Sequence, residues 1–325
     1  MPRVLITGAA GFIGMHTAIK FLEQGWDVVG LDNLNDYYDV SLKQNRIRNI
    51  LKYSKVKTNS FEIYHEDLNS QIWEQFSHFD FMAVVHLAAQ AGVRYSLENP
   101  TAYVESNISG FQKVLDFVHS NQIRRFVYAS SSSVYGKNSK QPFSEDEPCN
   151  SPESYYAATK IANELMAYSY YKTHNVNSIG LRFFTVYGPW GRPDMAPMLF
   201  ASSAYNDGTI RVFNHGKQKR DFTFIDDIVE GIFHLIEMQS FPVGSEVCNI
   251  GNGKPVNLMD FIAEIEKQTH RVLKKEFVEA QKGDVTETYA DTSKLYRLSG
   301  YRAKTNLTEG IKSFIKWYTE YYKEV

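Results

Sequence analysis

Arg3-Val-Leu-Ile-Thr7, then Gly8-Ala-Ala-Gly11-Phe-Ile-Gly14, then a periodic run to Gln24 and Gly25: this opening decides the architecture. The apolar stretch reads as a buried strand and the periodic run as a helix, with Gly25 just past its end. The glycines between them permit a tight turn and a close backbone approach to a pyrophosphate, which then sits on the helix N-terminus. A second strand, 27–31, ends in Asp32, 18 residues beyond Gly14. An acid there accepts hydrogen bonds from an adenosine ribose and repels a 2′-phosphate, so it selects NAD over NADP. A glycine triplet alone is a weak signal, and an ordinary strand-turn-helix joint is the plain alternative. Two strands and the acid turn it into a dinucleotide signal.

Working outward, short apolar runs at 61–64, 83–87, 125–129 and 177–182 read as further strands, and 101–119 as a helix. Strands alternating with helices imply a doubly wound parallel sheet, an α/β fold of Rossmann type. Residues 33–43 are polar and tyrosine-rich and read as a loop over the adenosine. Asp67 and Leu68 end the third strand, within reach of adenine. Small residues after the fourth strand, Ala88-Ala89-Gln90-Ala91-Gly92, let ligands lie close to the backbone. His86 lies inside an apolar strand and reads as a core histidine. Arg94 either faces a phosphate or caps the next helix. From 183 onward composition turns irregular, with Pro189, Pro193 and Pro197. We therefore expect a dinucleotide-binding domain of 1–182 plus about 223–250. A smaller α/β substrate domain of about 183–222 plus 251–325 would complete the chain.

Composition narrows the function. The chain has 325 residues, 43% of them hydrophobic, enough for a large core. Its formal net charge is −2, with no run of like charges, unlike a nucleic-acid binder. Two distant cysteines, Cys149 and Cys248, lack metal-ligand spacing and suit a reducing compartment. The start runs straight into a strand, so no signal peptide is expected. The apolar run 81–89 is too short to span a membrane. A cytoplasmic enzyme is the expectation, with no metal, nucleic-acid or membrane partner.

The chemistry is expected between 125 and 160. Arg125-Phe-Val-Tyr-Ala129 is followed by four serines, Ser130 to Ser133, and hydroxyls at the end of a buried strand need partners. Tyr156 and Lys160 then share one face of a helix. A free phenol has a pKa of ~10 and is a poor base at pH 7. A nearby ammonium or an oxidised nicotinamide ring favours its phenolate. The pair suits proton removal from an alcohol while hydride leaves the same carbon, with a serine relaying the proton. The Tyr-x-x-x-Lys pattern by itself says little. It occurs at Tyr53/Lys57, Tyr156/Lys160 and Tyr168/Lys172, in a chain with 21 tyrosines. Only Tyr156 follows a hydroxyl-ended strand, and Tyr168 is turned from it by roughly 120° around the helix.

The glycine spacing, Asp32, the serine strand and the Tyr156/Lys160 pair resemble the extended, sugar-nucleotide-modifying branch of the short-chain dehydrogenase/reductases. The resemblance covers essentially the whole chain. Asp32-Asn-Leu-Asn-Asp-Tyr-Tyr38, Gln90-Ala-Gly-Val-Arg94, Ser130-Ser-Ser-Ser-Val-Tyr-Gly136, Phe183-Phe-Thr-Val-Tyr-Gly-Pro189 and Arg192-Pro-Asp-Met195 look more narrowly like the UDP-glucuronate 4-epimerases. That family interconverts UDP-glucuronate and UDP-galacturonate through a 4-keto sugar, with NAD as a recycled hydride store.

The resemblance implies site residues. Tyr156, Lys160 and Ser131 would be catalytic. NAD would meet Gly8, Gly11, Phe12, Ile13, Gly14, Asp32, Asn33, Asn35, Asp67 and Leu68. Beyond these lie Leu87, Ala88, Ala89, Gln90, Asn107, Ser130, Tyr156, Lys160 and Phe183. The UDP-sugar would meet Arg94, Ser131, Ser132, Ser133, Tyr156, Thr185, Arg192, Phe213, Arg220 and Asp284. A homodimer through helices 101–119 and 154–173 is also implied.

A 4-keto uronate loses carbon dioxide readily, so its carboxylate must be held. An arginine fork suits that, and Arg192 is the candidate, presented by the turn Gly191-Arg192-Pro193-Asp194. Related decarboxylases place glutamate at Ser133, and 4,6-dehydratases place acids at Ser132 and Ser133; this chain has neither. Galactose-type epimerases usually have asparagine at Thr185 and an arginine at Gln281. A UDP-glucose or UDP-N-acetylglucosamine 4-epimerase is the alternative enzyme. A sugar-nucleotide or NAD sensor on the same fold is the alternative class.

Overall fold

The computed structural model describes residues 1–56, 59–137, 140–280 and 286–323. Its strands in chain order are β1 (Arg3–Thr7), β2 (Asp27–Leu31), β3 (Phe61–Tyr64), β4 (Ala83–His86), β5 (Arg125–Ser131) and β6 (Ser178–Phe183). Then come β7 (Thr185–Tyr187), β8 (Thr209–Phe213), β9 (Lys219–Phe224), β10 (Ser245–Ile250), β11 (Pro255–Asn257), β12 (Lys274–Val278) and β13 (Glu287–Thr288).

Seven strands form one sheet in the order β10-β6-β5-β4-β1-β2-β3, every neighbouring pair parallel. This is the doubly wound α/β arrangement. Helices cover both faces, so the central strands are apolar on both sides and read as continuous runs. Alternation then splits each strand between two cores: Val4 and Ile6 enter one, Leu5 the other. Full burial of each such side chain contributes roughly 1.5–3 kcal/mol. The chain reverses its direction of travel across the sheet between β1 and β4, and the crevice at their carboxyl ends is where such sheets hold ligands.

A second layer is built on β9, which pairs with β7, β11 and β13. Its fully buried Asp221 is the hub. The carboxylate accepts from Thr223 Oγ1 and the Asn252, Gly253 and Ala290 amides, at 2.8–3.1 Å. A separate parallel ribbon joins β8 to β12. The helix Ile225–Glu237 packs back on the helix Phe12–Glu23, and β10 joins the large sheet.

Two elements differ from expectation. The helix expected at 101–119 has three pieces: Pro100–Tyr103, a π-helix at Val104–Gly110, and Phe111–Ser120. The wide turn carries the buried Asn107, and Gly110 packs where a Cβ would stand 2.8 Å from Leu68 Cδ1. The loop expected at 33–43 ends early, because a helix runs over Val40–Val56. Asp39 starts it, its carboxylate accepting from the Ser41 amide at 2.8 Å.

Candidate active site

Gly8 turns the chain with φ +72°, and its amide donates to Leu31 O at 2.7 Å. A Cβ on Gly8 would lie 2.7 Å from Ala88 N, across the switch point. One on Gly14 would lie 1.9 Å from Gly8 O, so the helix Phe12–Glu23 packs directly on the turn. That helix starts without a side-chain cap, leaving its first amides for an anion. Phe12 is buried and Ile13 half-buried behind the turn. Asp32 accepts from the Ala10 and Leu34 amides at 3.0 and 2.9 Å. Burial raises its pKa, against those hydrogen bonds and the Lys43 ammonium. This bare backbone cradle fits a dinucleotide.

Around the cradle, exposed Asn33 donates to Asp67 at 2.8 Å, and Lys43 donates to Asn35 O and Oδ1 at 2.5 and 2.6 Å. Leu68 is buried, while Leu87, Ala88 and Ala89 are half-buried past β4. A cleft of about 560 Å³ opens beside Asn33, Asn35, Asp67 and Gln90, away from Tyr156. Asn107 serves the scaffold: it accepts from Gln90 N at 2.8 Å and donates to Gln90 O and Thr159 Oγ1, both at 3.0 Å. His86 shares a 2.7 Å hydrogen bond with Thr7, and burial lowers its pKa to about 3, as befits a core histidine.

Ser154 caps the helix Tyr155–His174, its hydroxyl accepting from Ala157 N at 3.1 Å. Tyr156 therefore sits in the first turn, facing β5. Burial raises its pKa, while a hydrogen bond with Ser131 and the charge of Arg192 lower it. Ser131 Oγ also accepts from the Ser133 amide and hydroxyl, at 3.2 and 3.0 Å. Ser132 opens the short turn Ser132–Tyr135. The Lys160 ammonium is 5.9 Å from the Tyr156 ring centre and donates to Ala129 O at 2.9 Å. Burial lowers its pKa to about 8, opposed by Glu164.

Behind Lys160 lies a network absent from the sequence reading. Glu164 receives Ser130 Oγ at 2.5 Å and a two-pronged Arg182, at 2.9 and 2.8 Å. Ser130 is thus turned toward Glu164. Glu164 sits one turn beyond Lys160, a spacing that could have flagged it; Arg182 inside β6 gave no signal.

On the facing side, Arg192 does not stand open. Its Nε and second terminal nitrogen grip both oxygens of Asp194, at 3.1 and 2.5 Å, and Tyr37 Oη donates to the same carboxylate at 3.2 Å. Two side chains, one half-buried and one buried, tie this turn to the glycine turn. His16 Nε2 meets Pro189 O at 3.0 Å. Arg46, 0% exposed, donates to Ala10 O, Trp190 O, Gly191 O and Tyr38 Oη at 2.6–3.2 Å. Arg94 lies over the Phe213 ring at 5.3 Å. Phe183 ends β6 and Thr185 begins β7, both half-buried. Arg220 lies along Lys219 O and Thr286 O, at 3.0 and 3.3 Å. Asp284 and Gln281 fall outside the described residues. Among the described residues no group of three or more His, Cys, Asp or Glu could hold a metal, and no helix is long and apolar enough to cross a membrane.

The UDP-glucuronate 4-epimerase 4 of Arabidopsis thaliana is 44% identical, over 98% of this chain and 76% of its own length. A probable UDP-glucuronate 4-epimerase of Rhizobium meliloti is 39% identical, over 99% of the chain and 98% of that protein. The crystal structure of UDP-glucuronic acid 4-epimerase from Bacillus cereus, in complex with UDP-glucuronic acid and NAD, superposes with a TM-score of 0.91. It is 33% identical, covering 98% of this chain and 100% of that one. The NAD dependent epimerase/dehydratase family profile matches residues 4–251. With sequence, fold and glycine cradle in agreement, the chain belongs to the NAD dependent epimerase/dehydratase family.

Proposed function

We propose that the chain is an isomerase that interconverts UDP-glucuronate and UDP-galacturonate by C4 epimerisation, with NAD as cofactor. The observation that carries this reading is the Arg192 cation, whose Nε and terminal nitrogen already grip a carboxylate on a turn tied through Arg46 to the glycine cradle. A neutral sugar has no use for that charge; a uronate carboxylate does. NAD would rest on Gly8, Gly11 and Gly14 with Asp32 on its ribose. When bound, it supplies the site with a hydride acceptor and donor and a positive ring charge.

The chain's own groups do the rest. Tyr156 Oη takes the proton from the sugar 4-hydroxyl and returns it. Burial pushes that phenol toward its protonated form, and the Ser131 hydrogen bond opposes this ahead of the smaller contribution of the Arg192 charge. Ser131 bonds the 4-oxygen, and the Lys160 ammonium anchors the first turn to Ala129. Arg94, Phe213 and, by the family resemblance alone, Asp284 would receive the nucleotide, Arg220 the diphosphate, and Thr185 the sugar. Residues 183–222 with 251–325 would form the sugar-nucleotide portion. Exposed Leu165 and Tyr168 on the helix Tyr155–His174, at 64% and 51%, would pair with a second copy. The free cysteines suit a cytoplasmic setting, feeding uronate to polysaccharide synthesis.

The test is incubation with UDP-glucuronate, UDP-glucose and UDP-N-acetylglucosamine, with chromatography of the products. UDP-galacturonate should form fastest. Faster turnover of a neutral sugar would replace this reading by the neutral-sugar epimerase, and no hydride transfer with any of them would favour a sensor.

A further inference from the structure

Arg192 reaches its partner two residues along its own turn. The contact is a fork-to-carboxylate pair, with each of two nitrogens donating to its own oxygen. It is the geometry an incoming carboxylate would need. We propose that Asp194 is an internal stand-in for the sugar carboxylate, holding the Arg192 fork until an acidic sugar displaces it, and so setting the acid selectivity of the site. The proposal rests on the glucuronate reading above.

Three observations carry it. The pair is reachable, with the Arg192 and Asp194 side chains 21% and 32% exposed. Exchange there opens no core, unlike Arg182 and Glu164 at 5% and 11%. Asp194 also has a second partner: Tyr37 Oη still donates to it once the guanidinium leaves. The fork meanwhile stays satisfied when no carboxylate is present, because a buried or half-buried cation without a partner is costly. A neutral sugar cannot compete for the fork, so it binds with the pair closed. An acidic sugar binds only the open fraction, and its apparent affinity falls by that fraction.

The experiment is calorimetric titration of the NAD-loaded protein with UDP-glucuronate, UDP-glucose and UDP. It compares wild type, Asp194→Asn, Arg192→Ala and the double variant, with Asp194→Ser repeating the first change. Removing the stand-in should tighten UDP-glucuronate about two- to fivefold, as expected for a part-exposed ion pair. UDP-glucose and UDP should stay within about twofold, and KM for UDP-glucuronate should fall while kcat does not rise with it. In the Arg192→Ala background most of the gain should vanish, since no fork remains to be freed. Weaker UDP-glucuronate binding, an equal change for all three ligands, no change, or the full gain without Arg192 would each overturn the stand-in. A wild type that handles UDP-glucose better than UDP-glucuronate would instead overturn the substrate reading.

Discussion

Two ion pairs bear on the helix that carries Tyr156, one through Glu164 and one through the Arg192 charge, and they are built in opposite ways. On one side, Glu164 and Arg182 join a helix to a strand and lie almost wholly buried. Removing either leaves an uncompensated charge, at roughly 3–5 kcal/mol. On the other side, Arg192 and Asp194 sit two residues apart on one part-exposed turn. Each can change partner without disturbing a core. The contrast separates two tasks. Proton and hydride movement is the same for every sugar, so its supports can be permanent. On the proposed reading, selectivity depends on what arrives, and the Arg192 charge is held exchangeably.

The sharpest attempt to break this division is Tyr156→Phe. It removes the proton acceptor and keeps the ring, so turnover should fall about a thousandfold, while NAD binding survives. Near-normal turnover here, with loss in Tyr168→Phe, would move the chemistry to the wrong face of the helix. Next comes Arg192→Ala, which should erase about one to two orders of magnitude of preference for the acidic sugar. It should leave UDP-glucose nearly untouched and release carbon dioxide with a 4-keto pentose. An unchanged acid-to-neutral ratio of kcat/KM would sink the exchangeable half of the comparison.

The permanent half can be sharpened through pH. Lys160 has a folded pKa of about 8, below the ordinary 10.5. The unfolded chain therefore binds more protons between these values, and stability rises with pH across that window. Between pH 7.5 and 9.5 wild type should gain about 2 kcal/mol relative to Lys160→Met. Denaturant melts at both pH values measure it, and a constant difference would mean the ammonium is not desolvated.

What the sequence disclosed follows from signal length. β1, β2 and β3 lie at 3–7, 27–31 and 61–64, as read, because strand runs bounded by glycine and polar residues are unambiguous. Tyr156 and Ser131 are singled out by their order along the chain, and the structure sets them near enough for Ser131 to pull the Tyr156 pKa down. Asp194 was visible only as part of a turn presenting an arginine; nothing in the order of residues tells a free fork from a closed one. Lys43 ends the tract read as a loop over the adenosine and Arg46 lies just beyond it; neither position signals a buried cation in the sequence. A lone cation aimed at backbone carbonyls leaves no periodic trace. The π-helix was equally silent, since one widened turn is too short to shift a helical pattern.

Arg46 has a mechanical meaning beyond its hydrogen bonds. One rigid guanidinium holds Ala10 O from the dinucleotide turn and Trp190 O and Gly191 O from the turn that carries Arg192. The two turns therefore share one buried pivot. A cofactor that binds better with the pivot closed, and a sugar that does the same, must strengthen each other by one factor. Occupancy by UDP-glucuronate should thus lower the dissociation constant of NAD by the factor that NAD lowers its own. With Arg46 replaced by methionine that shared factor should shrink toward one, leaving two turns that answer to their ligands separately.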